Sequence, residues 1–396
     1  MTPQFCFLSN SMRASLGLLL FKAFIYALVF ILPAHPDASG LRTKAPHAIV
    51  FEWGSKTILF EHDVDVPTPT ASMSKLMTLY IVMKNLKAGN IKLEYNLRVS
   101  EGATSAGAPT VFLKTGQLIS VYDLIKGAAV ASGNDACITL AEGLYTSQEK
   151  FVEEMNKVAR ELNLKNSRFV NVTGWPDDNM MSVRDLLILS ARILQDFPEY
   201  YYFFSEKQFT YNGITQKNYN VLLNYNNIEV DGIKTGHTRT GGYGMVASAL
   251  KDGRRVLVVI NGLSTETERA YEAKKLILHA LNHFSTRTIF LANGVIGEIS
   301  VKHKKGTSLQ VFLKEDAVIT YPKDLEHELH AFLLSQESLK APIKKGQLVG
   351  SLLVKTKNSV QYSFPVYAAT SVRAPCAVCD YLRSLYRTLY SYYTSD

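Results

Sequence analysis

The chain is expected to form an α/β domain, an antiparallel sheet carrying helical layers, followed by a small all-β domain and a C-terminal amphipathic helix. Three observations point there. Strand-like runs near residues 48–61 and 230–260 bracket a block of helical patterns. Two apolar runs, 244–250 and 255–260, flank Asp252-Gly253, a strong hairpin signal. After about residue 285 the chain turns to short β-rich pieces separated by turn residues. A length of 396 residues favours two domains over one. The 47% apolar and 20% charged content is that of a globular protein. The expected boundaries are 1–40, 41–285, 286–372 and 373–396.

Residues 1–40 read as an export signal. Arg13 and Lys22 precede a short apolar run at 23–32, and Ala38-Ser39-Gly40 supplies a cleavage zone. The run is shorter than the roughly 20 residues a membrane helix needs. Residues 48–53 and 57–61 form a hairpin around Gly54-Ser55-Lys56. Ser72-Met73-Ser74-Lys75 opens an apolar helix through 76–83. Residues 101–110 are small and polar and read as a loop, and a helix follows from 121 to about 130. Ser132-Gly133-Asn134-Asp135 breaks it, and 136–144 resumes a helix. Thr146-Ser147-Gln148-Glu149 reads as the capping box of a helix ending near Leu164. A loop spans 171–178, and Ser182 caps a helix through about Leu194. A polar stretch, 200–227, leads to the central hairpin and a helix at about 266–284. The second domain shows strand-like pieces at 301–302, 309–313, 317–321, 348–355 and 362–367. In the last stretch Leu382, Leu385, Tyr386 and Leu389 share one helical face, and Arg383, Ser384, Arg387 and Ser391 the other. That pattern suits a membrane interface, the alternative being a helix packed on its own protein or a partner.

The formal charge of +8, from 43 basic and 35 acidic residues, is a mild excess with no basic stripe interleaved with aromatics, so nucleic acid is not an expected partner. Of four cysteines, Cys6 lies in the signal and Cys137 reads as a small buried hydrophobe. Cys376 and Cys379 lack the further ligands of a zinc site and the βαβ context of a redox motif. His279 and His283 share a helix face but lack the glutamate of His-Glu-x-x-His. No metal and no cofactor is expected.

The chemistry-bearing stretch is Ser72-x-x-Lys75. Positions i and i+3 share a helix face, so Ser72 Oγ and Lys75 Nζ can meet one turn apart. A helix start offers free N–H groups and a positive dipole end. A serine beside a lysine can be a nucleophile with its own base. The lysine must then be neutral, against an ordinary pKa of about 10.4, which burial or a neighbouring cation can achieve. Ser-x-x-Lys recurs at Ser147–Lys150 in a capping context, and Lys-Thr-Gly occurs at both Lys114-Thr115-Gly116 and Lys234-Thr235-Gly236. Order separates signal from decoy: Ser72-x-x-Lys75, then Ser132-x-Asn134, then Lys234-Thr235-Gly236 at the mouth of a hairpin.

That ordered set resembles the penicillin-binding proteins and class A β-lactamases. The flanking residues in Pro69-Thr-Ala-Ser72-Met-Ser-Lys75, Val130-Ala-Ser132-Gly-Asn134-Asp-Ala136 and Val230-Asp-Gly-Ile-Lys234-Thr-Gly-His237-Thr238 resemble the low-molecular-mass D-alanyl-D-alanine carboxypeptidases, over residues 45–370. The resemblance implies a penicillin-binding-protein-like domain at 41–285. It implies that Ser72 attacks the carbonyl between two terminal D-alanines of a peptidoglycan stem pentapeptide, with neutral Lys75 as base. Ser132 would relay protons. Asn134 would hold the substrate backbone and help fix Lys75. Lys234 would depress the pKa of Lys75 and attract the terminal carboxylate, with hydroxyls from Thr235 and Thr238 beside it. Gly236 would let the strand approach closely, and the N–H groups of Ser72 and His237 would form the oxyanion hole. β-Lactams would acylate the same serine. The resemblance also implies the periplasmic face of a bacterial inner membrane, reached through the terminal helix. Two departures stand out. Tyr219 in Asn218-Tyr219-Asn220 occupies a place where many relatives carry arginine, and Ala159 stands where class A β-lactamases carry their deacylating glutamate. A D,D-endopeptidase, a serine β-lactamase and an inactive cell-wall-binding scaffold are the alternatives.

Overall fold

The computed structural model describes residues 41–176, 178–301, 308–336, 339–355, 361–374 and 377–393. The export signal and Cys376 lie outside these residues. The chain divides into two compact units at Leu281/Asn282.

In the first unit, among the described residues, five strands form one antiparallel sheet. They are β1 (His47–Glu52), β2 (Thr57–His62), β3 (Glu229–Thr238), β4 (Gly242–Lys251) and β5 (Arg254–Leu263), in the order β2-β1-β5-β4-β3. The β4–β5 turn is the two-residue kind: Lys251 pairs with Arg254, and Asp252 and Gly253 take φ of 51° and 76°. This is the left-handed pair that a tight hairpin requires. Alternation sorts the strands onto two faces. Ile49, Phe51, Val246, Leu257 and Val259 point to one core, and Ala48, Val50, Ala247, Val258 and Ile260 to the other.

The first core is filled by α1 (Lys75–Lys87), α2 (Val121–Ala129), α3 (Asn134–Tyr145), α4 (Gln148–Glu161) and α5 (Val183–Asp196). The second is covered by α6 (Glu266–His283), through Ala273, Leu276, Ile277 and Ala280. Helix α1 is buried continuously from Lys75 to Met83, as expected of a helix that is apolar all round. The outer helices are amphipathic and capped at the start: Ser120, Ser147 and Ser182 accept from the amides of Asp123, Lys150 and Asp185.

The structure differs from the sequence reading in several places. The α-helix starts at Lys75, and Ser72 lies in the preceding 3₁₀ turn, Ala71–Ser74. Helix α3 starts at Asn134, two residues early, because Gly133 serves as its cap. The cap of α4 is Ser147 and not Thr146, which takes φ 65° as the C-cap of α3. The 101–110 loop begins with a helical turn, Glu101–Thr104. The polar 200–227 stretch contains a hairpin, Gln208–Tyr211 with Ile214–Lys217. Its alternation is too polar to stand out as a strand.

The second unit is β-rich. Strands β6 (Phe284–Phe290), β7 (Val295–Ser300), β8 (Ser308–Phe312), β9 (Ala317–Pro322), β10 (His330–Ser335), β11 (Leu348–Lys355) and β12 (Gln361–Ala368) form a β6–β9 pair and a sheet ordered β7-β8-β12-β11-β10. Leu309, Val311, Ile319, Val349, Val354 and Val366 are buried inside it. Tyr362 reaches back to the backbone of Thr320 through its hydroxyl. The expected piece at 301–302 is not a described strand: Val301 follows the end of β7, and Lys302 lies outside the described residues. Helix α7 (Ala377–Tyr393) leaves Tyr381, Leu382, Leu385, Tyr386 and Leu389 exposed. Among the described residues no helix is long and apolar enough to cross a membrane.

Candidate active site

Three segments converge in the first unit. The 3₁₀ turn at the start of α1 carries Ser72, the α2–α3 junction carries Ser132 and Asn134, and edge strand β3 carries Lys234, Thr235 and Gly236. Lys75 Nζ donates to Ser72 Oγ at 2.7 Å and to the Thr173 carbonyl at 2.7 Å. Lys234 Nζ donates to Ser132 Oγ at 3.0 Å and to its neighbour's carbonyl, Thr235 O, at 3.2 Å. Lys75 and Lys234 are 0% and 2% exposed.

Close approach depends on two glycines. A Cβ on Gly236 would stand 2.6 Å from the Thr70 carbonyl and 3.2 Å from Met73 N, so any side chain would push β3 away from the Ser72 turn. Gly174 takes φ +83°, and a Cβ there would collide with the Ala71 carbonyl and Ser74 Oγ. The loop carrying the Thr173 carbonyl can therefore close on the same turn. Buried Asn179 braces it: its Oδ1 accepts from Val170 N and Asn171 N, and its Nδ2 donates to Ser74 Oγ. On the other side, Asp135 accepts from the amides of Val111, Leu113 and Ala136 and pins the 107–113 loop. Ser132 takes φ +58°, a strained conformation for a residue with a side chain.

The two amines carry the electrostatics. Burial is the first cause that lowers the pKa of Lys75, to about 8, against the raising influence of Cys137 and Asp135. Lys234 is held well below its usual range by burial first, then by the charges of Lys75 and Arg269. Burial is thus the first cause at both amines, and the repulsion between Lys75 and Lys234 belongs to the pair. A correction concerns Asn134. Its Nδ2 donates to the Gly107 carbonyl at 2.6 Å, its buried Oδ1 has no partner, and the Thr173 carbonyl takes the place beside Lys75. The hydroxyl of Thr238 accepts from Gly241 N, so it braces the β3–β4 turn, while Thr235 is nearly buried beside Lys234. His237 is exposed, and its ring stacks on Tyr243 with 3.8 Å between centroids.

The decoys fall elsewhere. Ser147 caps α4, and Lys114 to Gly116 lie exposed at a turn, with Thr115 bonded to Thr104. Cys137 is buried, and desolvation raises its thiol pKa to about 11. Sequence reasoning missed Asp135, Asn179 and Arg269. Arg269 is 3% exposed, donates to Glu266 and to the Tyr219 carbonyl, and lies under the Tyr243 ring. It thus reaches the backbone of Tyr219. In sequence it reads as one more charge on an exposed helix face.

The chain is similar to known proteins over both units. The family described as D-alanyl-D-alanine carboxypeptidase matches residues 34–265, and the one described as penicillin-binding protein 5, C-terminal domain, matches residues 284–374. D-alanyl-D-alanine carboxypeptidase DacC of Escherichia coli (strain K12) is 36% identical over 339 residues, 82% of this chain and 85% of the relative. The structure of penicillin-binding protein 5 from Haemophilus influenzae superposes with a TM-score of 0.79 at 34% identity, covering 85% of this chain and 99% of that one. Penicillin-binding protein D2 from Listeria monocytogenes, solved in an ampicillin-bound form, gives 0.55 at 28% identity over 60% of this chain and 97% of its own.

The lowered pKa of Lys75 sets a pH dependence. The amine can accept a proton only when neutral, and it becomes neutral as pH rises through about 8. Acylation of Ser72 by a β-lactam probe is expected to rise about 50-fold between pH 6 and 8 and then level off. Stopped-flow measurement across this range checks it; a flat profile contradicts it.

Proposed function

The chain belongs to the D-alanyl-D-alanine carboxypeptidase family, and from that premise we propose how its residues share the reaction. It is a serine-type carboxypeptidase acting on peptidoglycan peptides that end in D-Ala-D-Ala. Ser72 is the nucleophile. Neutral Lys75, 2.7 Å away, takes its proton as Oγ bonds to the penultimate carbonyl carbon. The backbone N–H groups of Ser72 and His237 receive the developing oxyanion. Collapse breaks the peptide bond, the proton passes to the leaving amine through Ser132, and D-alanine departs. Water then cleaves the acyl-serine.

The observation that carries this reading is the Ser72–Lys75–Thr173 contact in a buried setting. The pKa pattern supplies the rest. Lys234 is held well below its usual range beside the charge of Arg269, and a substrate carboxylate there, which the Thr235 hydroxyl could also meet, would favour protonation of Lys234. A charge on Lys234 then favours the neutral form of Lys75 further. β3 is an edge strand, so its open backbone can pair with an extended stem peptide while Asn134 contacts it from the other lip. A β-lactam presents a strained amide and a carboxylate to the same groups, as in the ampicillin-bound relative. Ala159 is buried inside α4, so the class A deacylating glutamate has no counterpart at that position.

The same reading places the exported protein at the periplasmic face of the inner membrane. The support is the leader-like sequence at 1–40 and the exposed apolar residues of α7.

Incubation of a stem pentapeptide with the enzyme is expected to remove the mass of one alanine, and Ser72→Ala to abolish both this and covalent labelling by fluorescent penicillin. Retained labelling in the variant contradicts the assignment, and cleavage of cross-linked dimers alone indicates an endopeptidase. Deleting residues 377–396 is expected to move the exported protein from the membrane pellet to the soluble fraction; unchanged pelleting contradicts the anchor.

A further inference from the structure

Trp175 stands where the two loops of the cleft meet. It lies two residues beyond Thr173, whose carbonyl holds Lys75. The turn that presents it is tied down. Asn171 Oδ1 accepts from Thr173 N and Gly174 N, and the Thr173 hydroxyl both donates to the Trp175 carbonyl and accepts from Trp175 N. The indole edge packs on the opposite loop. A Cβ placed on Gly107 would lie 3.2 Å from Nε1 and 3.6 Å from Cδ1, so a side chain there would crowd the ring. Gly107 is the residue whose carbonyl receives Asn134 Nδ2. Yet 54% of Trp175 remains exposed. A large aromatic surface is thus held rigidly beside the site, with no obvious role in the core.

We propose that Trp175 is a specificity-determining residue whose open indole face receives the apolar side chain on the acyl side of the scissile bond. This rests on the assignment of Ser72 as nucleophile. The buried basic groups Lys234 and Arg269, with the hydroxyl of Thr235, lie on the β3 side and would draw the carboxylate end of the substrate, and with it the leaving group, to that side. The acyl portion therefore leaves across the lip formed by Asn134 and the Thr173 loop, where Trp175 stands. Reach limits the occupant. Two residues span less than about 8 Å, so a side chain next to the scissile bond can meet the ring, while a glycan joined through several stem residues at about 3.3 Å each lies beyond it. A pre-positioned ring loses little conformational freedom on contact, which favours discrimination.

Two β-lactams separate the effect from the chemistry. Benzylpenicillin and 6-aminopenicillanic acid share nucleus and carboxylate, but only the first carries an apolar acyl side chain. The sequence contains two tryptophans, so a Trp53→Phe protein reports on Trp175 alone. Acylation with benzylpenicillin is expected to shift its emission to the blue, and acylation with 6-aminopenicillanic acid is not; identical spectra overturn the proposal. The ratio of the two acylation rates is expected to fall about three- to tenfold in Trp175→Ala and to survive in Trp175→Phe. An unchanged ratio in Trp175→Ala overturns it. If neither compound acylates Ser72, the nucleophile assignment itself fails and this inference falls with it.

Discussion

A lysine amine cut off from water, 2.7 Å from a serine hydroxyl, is the constraint on which the first unit depends. Burying an ammonium is costly unless an anion or a set of strong acceptors compensates. Around Lys75 the hydrogen-bond partners are neutral oxygens, from Ser72 and Thr173. The carboxylate that lies near enough to raise its pKa, Asp135, is already occupied by three backbone amides. The cleft therefore favours the neutral amine more than an exposed site would, and two further basic groups, Lys234 and Arg269, are buried in the same unit. It is a site short of negative charge, and the proposed substrate brings a carboxylate.

The rest of the unit can be understood as what keeps that arrangement in place. Helix α1 is buried on every side, so the turn before it cannot drift. Asp135 fixes one lip through the 107–113 loop, and Asn179 fixes the other through Asn171 and Ser74. Glycines at 174 and 236 remove the side chains that would hold the lips apart. Two of the non-glycine residues with positive φ, Ser132 and Ala71, also lie here.

Much of this was legible in the sequence where local chemistry is decisive. Asp252-Gly253 demanded a tight hairpin, Ser182 announced a helix start, and the ordered spacing of Ser72, Lys75, Ser132, Asn134 and Lys234 predicted their convergence. What escaped depends on long-range contact. Asp135 and Asn179 look like ordinary loop polar residues, and only the folded chain shows which amides they satisfy. Arg269 lies on a helix flanked by Glu266 and Glu268, a pattern of solvent exposure, yet it is almost fully buried. That burial leads the Lys75 shift was likewise not legible, because burial is a tertiary quantity and a nearby cationic motif is a visible one. The polar hairpin at 208–217 lacked the apolar alternation that reveals strands.

The central claim, that the fold desolvates Lys75 and so brings its pKa down to where a usable fraction of the amine is neutral, is most directly tested by titrating its Nζ by ¹⁵N NMR in the free enzyme. The account predicts a midpoint near 8, with Lys75 losing its proton more than two pH units below an ordinary lysine. A midpoint at the ordinary value of about 10.4 would contradict it.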